Sequence, residues 1–158
     1  MKLTATTTRV LQSVAALVKP AAAPARVLVV DDEEGVRRFV ARVLRSAGYV
    51  VETGAGGTEA LEAISKGDAF DLVVTDVRMP GMSGPQFIGQ LRRHDAGTKV
   101  LYLTGFNDQL FDERGTLWEG EVFLDKPCTV NGLLESVALL LTGHVAPIKP
   151  ARVRPMQH

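Results

Sequence analysis

Four short apolar runs in this chain end abruptly in polar residues. Val27-Leu28-Val29-Val30 stops at Asp31-Asp32, Leu72-Val73-Val74-Thr75 stops at Asp76, and Val100-Leu101-Tyr102-Leu103 stops at Thr104. Val122-Phe123-Leu124 is followed by Asp125 and then by Lys126-Pro127. Apolar runs of this length, separated by helix-length segments, predict parallel strands covered on both faces. Ligands bind beyond the carboxyl ends of the strands in an open parallel sheet. Three carboxylates, a hydroxyl and an ammonium are therefore expected to meet at one edge.

The intervening segments carry helical periodicity. Asp31 to Glu34 supply polar capping chemistry for a helix running to about Ala47, with Phe39, Val40, Val43 and Leu44 as its buried stripe. Arg37, Arg38, Arg42 and Arg45 form its wet side, and Gly48 ends it. Tyr49 to Thr53 reads as a less apolar strand, hence an edge. Gly56-Gly57-Thr58 opens a second helix with Ala60, Leu61 and Ile64 inward, ended by Gly67-Asp68. Phe70 to Thr75 is the third strand, Met79 to Gly84 a loop, and Phe87, Ile88 and Leu91 the inner face of a third helix. Gly105 to Gly120 fits no regular element well, and a short or irregular fourth helix is expected there. Glu121 to Leu124 is the fifth strand. Thr129 caps a last helix carrying Leu133, Leu134, Val137, Leu140 and Leu141, and Gly143 stops it.

Five strands alternating with five helices imply an α/β, flavodoxin-like, doubly wound parallel sheet of order 2-1-3-4-5. Its switch point lies between strands one and three, the strands that end in Asp31-Asp32 and Asp76. The expected organisation is an amphipathic helix and linker over 1–25, one globular domain over 26–142, and a disordered tail over 143–158. Lys2, Val10 to Val18 and Ala21 to Ala23 loosely mimic a signal peptide. Gln12 and Ser13 interrupt that stretch, however, while Val10, Leu11, Val14, Leu17 and Val18 share one helical face. An extra N-terminal helix is the preferred reading, with residues 1–20 a candidate homodimer contact.

Composition narrows the function classes. Lys plus Arg equals Asp plus Glu at 18 each, so charge makes no case for nucleic acid as the main partner. One cysteine, Cys128, excludes an internal disulfide and a cysteine-based zinc cluster, which fits a reducing, cytoplasmic setting. No apolar run reaches the roughly 20 residues that span a bilayer, so no membrane association is expected.

Three carboxylates within about 5 Å repel each other unless a positive charge sits among them or a pKa rises. An oxygen-only ligand set with open positions favours Mg²⁺ or Mn²⁺ over zinc. Lys126 supplies a second positive charge on a flexible stem, and Thr104 a hydroxyl for one phosphoryl oxygen. In-line phosphoryl transfer to an Asp carboxylate suits such a clamp.

From about Arg26 to Thr142 the chain resembles the receiver domain of two-component response regulators. The resemblance rests on Val-Val-Asp-Asp-Glu at 29–33, Thr-Asp-Val-Arg-Met-Pro-Gly-Met-Ser-Gly at 75–84, Leu-Thr-Gly at 103–105 and Lys-Pro at 126–127. It implies that Asp76 is the phosphoacceptor. It further implies that Asp32, Asp76 and the backbone carbonyl of Arg78 ligate Mg²⁺, with Asp31 acting through water or as a further ligand. Thr104 and Lys126 would bind phosphoryl oxygens, and the donor would be a histidine kinase or a histidine phosphotransfer protein. Thr104 and Phe123 would form the switch; Phe123 lacks the hydroxyl of the commoner Tyr, so packing must drive any rotation. Cys128 stands where a Phe is more usual. Arg78 and Phe106 lie where the family tunes phosphoryl lifetime, and their bulk is expected to lengthen it.

The stretch from Gly105 to Pro127 is most similar to receivers of hybrid histidine kinases. About sixteen residues follow the last helix, too few for a helix-turn-helix output domain. The expectation is a single-domain regulator that signals by protein contacts and is no enzyme beyond its own phosphoryl transfer and autodephosphorylation. A phosphate sink without output is the first alternative. An aspartyl-phosphate phosphatase or phosphotransferase on small molecules is the second, disfavoured because Arg78 stands where haloacid-dehalogenase-like enzymes carry a second Asp.

Several features have plainer readings. Gly54-Ala55-Gly56-Gly57 lacks dinucleotide-loop spacing and reads as a turn. His94, His144 and His158 are scattered along the chain, which makes them surface residues rather than ligands. Cys128 reads as a small packed side chain. Phe111, Leu117 and Trp118 read as core beneath an irregular crossover, with an exposed contact patch as the alternative. Lys149, Arg152 and Arg154 lie in a solvated tail.

Overall fold

The computed structural model describes residues 23–105 and 119–143. The elements run β1 (Arg26–Val30), α1 (Glu34–Ser46), β2 (Val50–Gly54), α2 (Gly57–Ser65), β3 (Leu72–Asp76), α3 (Gly84–His94), β4 (Lys99–Thr104), β5 (Glu121–Asp125) and α4 (Val130–Thr142). All strand pairs are parallel, and the order is β2-β1-β3-β4-β5, as expected from the sequence. The expected N-terminal helix, the irregular segment with Phe106, Phe111, Leu117 and Trp118, and the tail lie outside the described residues.

Strand alternation sorts the core into two layers. Val27, Val29, Leu72, Val74, Leu101 and Leu103 face α1 and α4, where Val40, Val43, Leu44, Leu133 and Val137 meet them. Leu28, Val30, Val73, Val100 and Tyr102 face α2 and α3, against Ala60, Phe87, Ile88 and Leu91. At the far end of the sheet from the strand-end acids, the buried Glu121 carboxylate pairs with Arg92 at 3.6 Å.

Three local readings need correction. Phe39 is 38% exposed; the buried stripe of α1 is Val40, Ala41, Val43 and Leu44. At 100° per residue Phe39 falls on the margin of that stripe, where it lines an open groove with Val36, Pro127 and Cys128. The N-cap of α1 is Glu33, whose own side chain caps nothing; Asp31 Oδ1 accepts from the Glu33 N–H at 2.9 Å instead. The second and third strands also sit further along the chain than expected. Gly54 remains in β2 because its carbonyl accepts from Asp31 N–H at 3.2 Å. Phe70 precedes β3 and is buried, with the Arg26 guanidinium 5.3 Å from its ring centre.

β2 is the edge strand, and Arg45 of α1 donates to the outward carbonyl of Val51 at 3.0 Å, which occupies part of that edge. Ser83 and Gln86 form a reciprocal capping box at the start of α3. Thr129 Oγ1 accepts from Gly132 N–H at the start of α4, and Gly143, at φ 72°, closes that helix in the left-handed conformation.

Candidate functional site

The parallel register delivers the polar strand ends to one edge. Val30 pairs with Thr75, so Asp31 and Asp76, the next residue of each strand, lie level with each other. Asp76 pairs with Leu103, and Thr104 pairs with Asp125, which places Thr104 and Lys126 on the adjoining side. Ligand oxygens of Asp31, Asp32 and Asp76 all fall within 4.8 Å of one another. Asp31 is fully buried, Asp76 is 5% exposed, and Asp32 faces solvent.

Lys126 Nζ sits between the two buried acids, 3.1 Å from Asp31 Oδ2 and 3.2 Å from Asp76 Oδ2. Burial works against its charge, but the two carboxylates outweigh burial and hold the ammonium above its usual range. One ammonium does not neutralise the cluster. Burial, reinforced by the charge of Asp31, pushes the Asp76 carboxyl up from 3.8 to about 6, although Lys126 and the Arg78 backbone N–H act in the opposite direction.

The donor set fits a hard divalent cation. Among the described residues, all candidate ligands are oxygens, and the buried Asp31 Oδ2 has the ion pair to Lys126 but no well-directed hydrogen bond. The loop after β3 is held close to the acceptor strand. Gly84 N–H donates to the Val77 carbonyl at 2.9 Å, and a Cβ on Gly84 would collide with the Asp76 carbonyl. Thr75 Oγ1 donates to that same carbonyl at 3.0 Å.

Of the residues singled out from sequence, Asp31, Asp32, Asp76 and Lys126 cluster tightly. Thr104 is buried at the same edge, and its hydroxyl donates to Asp125 Oδ1 at 3.0 Å. Arg78 is exposed beside Asp76, and Phe123 is 42% exposed in β5. Phe106 lies outside the described residues. Cys128 is half-buried beside Lys126, and burial raises its thiol pKa.

Three contributors were not foreseen. Glu33 Oε1 lies 3.9 Å from Lys126 Nζ. Arg37, expected on the wet side, is half-buried, and its guanidinium donates to the Asp31 carbonyl at 2.7 Å. Asp125 is the acceptor for Thr104. Helical spacing carried a signal for Arg37, since the first turn of α1 brings it back over the strand end; Glu33 and Asp125 become visible only once the strands are in register.

A doubly wound parallel sheet with three acids, a lysine and a threonine at its carboxyl edge is the architecture of a receiver domain. The family described as the response regulator receiver domain matches residues 27–138, and the chain belongs to it. The chain is 36% identical over 118 residues to the sensor kinase CckA of Brucella abortus, a match that takes in 74% of this chain and 12% of the kinase. It therefore spans about an eighth of that relative. The solved structure of Vibrio cholerae chemotaxis protein CheY4 superposes with a TM-score of 0.68 at 36% identity, covering 75% of this chain and 100% of that one. The receiver domain of the hybrid histidine kinase CckA gives 0.62 at 34% identity, covering 73% and 98%. Among the described residues no helix is long and apolar enough to cross a membrane.

Proposed function

We propose that this receiver accepts a phosphoryl group on Asp76 from a histidine kinase or a histidine phosphotransfer protein and passes the signal on by protein contacts. One observation carries the reading: the buried Asp76 carboxylate shares the Lys126 ammonium with Asp31 and lies within a cluster of three acids of which it is one. Such a carboxylate is stabilised when cations approach, and Lys126 with a bound divalent cation would offset the charge that a phosphoryl group adds. In the transfer the donor P–N bond breaks, its electron pair staying with the imidazole, and a P–O bond forms to Asp76.

Asp31, Asp32, Asp76 and the Arg78 carbonyl would hold Mg²⁺ or Mn²⁺, which when bound neutralises charge on the equatorial phosphoryl oxygens. Lys126 leaves its shared position to meet one phosphoryl oxygen, and the Thr104 hydroxyl meets another. Arg78 and Phe106 set the lifetime by shielding the phosphoryl group from water. Thr104 and Phe123 relay its presence to the β4–β5 side. Within this reading the protein acts in the cytoplasm, catalyses only its own phosphorylation and dephosphorylation, and uses residues 1–20 for self-association.

The test is incubation with acetyl phosphate and Mg²⁺ followed by intact mass. A single phosphate adduct that Asp76→Asn abolishes is expected. Persistence of the adduct in that variant, or turnover of many acetyl phosphates without an adduct, would overturn the assignment.

A further inference from the structure

Asp125 has no part in the reading above, yet it holds one of its groups. The side chain is exposed, at the carboxyl end of β5, directly opposite Thr104 in the β4–β5 register. Its Oδ1 accepts from Thr104 Oγ1 at 3.0 Å, while the Thr104 carbonyl accepts from Lys126 N–H at 2.7 Å. The hydroxyl and the carbonyl of Thr104 are thereby both engaged across the two strand ends. A hydroxyl carries one proton. Donated to Asp125, that proton is not available to a phosphoryl oxygen, which can only accept.

We infer that Asp125 is a positioning residue: it latches the Thr104 hydroxyl away from the phosphoryl site, and the site engages a phosphoryl group only after that bond breaks. The inference rests on the phosphoryl reading of Asp76. It adds that this chain carries its own restraint on engagement, in a residue outside the acid cluster and the lysine. A hydrogen bond to a charged acceptor is stronger than one between neutral groups. The free protein is accordingly held in the disengaged arrangement, and its apparent affinity for a phosphoryl group is reduced by the fraction that is unlatched.

The test uses beryllium fluoride, which mimics an aspartyl phosphate, titrated calorimetrically in saturating Mg²⁺ against the full chain and its Asp125→Ala, Thr104→Ala and doubly substituted variants. Asp125→Ala is expected to bind about five- to tenfold more tightly than the native chain. In the Thr104→Ala background the same change is expected to have no effect, because there is no hydroxyl to release. Mg²⁺ affinity measured without beryllium fluoride should be the same in Asp125→Ala as in the native chain, which a general loosening of the strand ends would not leave intact.

Unchanged or weaker binding by Asp125→Ala would overturn the latch. So would an equal gain in the Thr104→Ala background, which would mark a simple charge effect. If the native chain binds no beryllium fluoride at all, the phosphoryl reading itself fails and the latch falls with it.

Discussion

Asp76→Asn is expected to stabilise the metal-free protein at neutral pH. The carboxyl is 5% exposed and is pushed from 3.8 to about 6 by burial first and by Asp31 second. An acid whose pKa rises on folding keeps its proton longer in the native than in the unfolded chain. Between pH 4 and 6 the unfolded chain therefore binds fewer protons, and stability falls as pH rises through that window. A shift of about two units at ~1.36 kcal/mol each means that ~3 kcal/mol of stability present in acid is gone by pH 7. Asparagine stays neutral throughout and removes that loss, but it also takes from Lys126 the carboxylate now 3.2 Å away. The net gain at pH 7.5 should be about 1–2 kcal/mol.

Urea unfolding in EDTA, followed by circular dichroism, measures it directly. The difference should shrink as the pH is lowered to 4, where the native Asp76 is itself protonated. Mg²⁺ should also narrow it, because the cation stabilises the native state of the unsubstituted chain more. A variant less stable than the native chain at pH 7.5 in EDTA, or a gain that acid does not reduce, would refute the argument from crowded carboxylates.

Lys126→Ala, which leaves Asp31 and Asp76 without their shared cation, should cost about 2 kcal/mol in EDTA, and Mg²⁺ should restore more stability to it than to the native chain in the same urea titration. Gly84→Ala should lower the unfolding temperature and weaken Mg²⁺ binding together, since its Cβ must push the Asp76 carbonyl; the cost by thermal melting should be about 2 kcal/mol. Ser83→Ala removes one half of the α3 capping box and should cost about 1 kcal/mol by the same melt, with Mg²⁺ affinity unchanged.

Much of this molecule is legible from the order of its side chains because parallel strands buried on both faces leave few alternatives. Val27 to Val30, Leu72 to Thr75 and Val100 to Leu103 read as central strands, and the flavodoxin-like doubly wound order with right-handed crossovers then arranges them. The acid cluster follows from the strand ends. Contacts across the register were not legible in the same way. Thr104 and Asp125 are 21 positions apart, and only the pairing of β4 with β5 brings them together. Periodicity puts Phe39 in the buried stripe with Val40, Val43 and Leu44, but α1 fills its inner face with smaller residues, Val40, Ala41, Val43 and Leu44, and the larger ring is displaced to the margin. Charge alone places Arg37 on the wet side; the length of its side chain allows it to reach the Asp31 carbonyl while lying partly buried.

The geometry also constrains how a signal would leave the site. Lys126 Nζ lies 3.1 and 3.2 Å from two acids, and a phosphoryl group on Asp76 would compete with them for its three N–H donors. Thr104 cannot keep Asp125 and reach the same group. Both rearrangements fall at the carboxyl ends of β4 and β5, where the Lys126 N–H just beyond β5 donates to the Thr104 carbonyl at 2.7 Å. On the β1 side, by contrast, Asp31 is fixed through Glu33 N–H and Arg37, neither of which has to move. Phosphorylation of Asp76 would thus disturb one side of the pocket and leave the other in place. The change would emerge beside Phe123, which sits in β5 half open to solvent, two residues before Asp125.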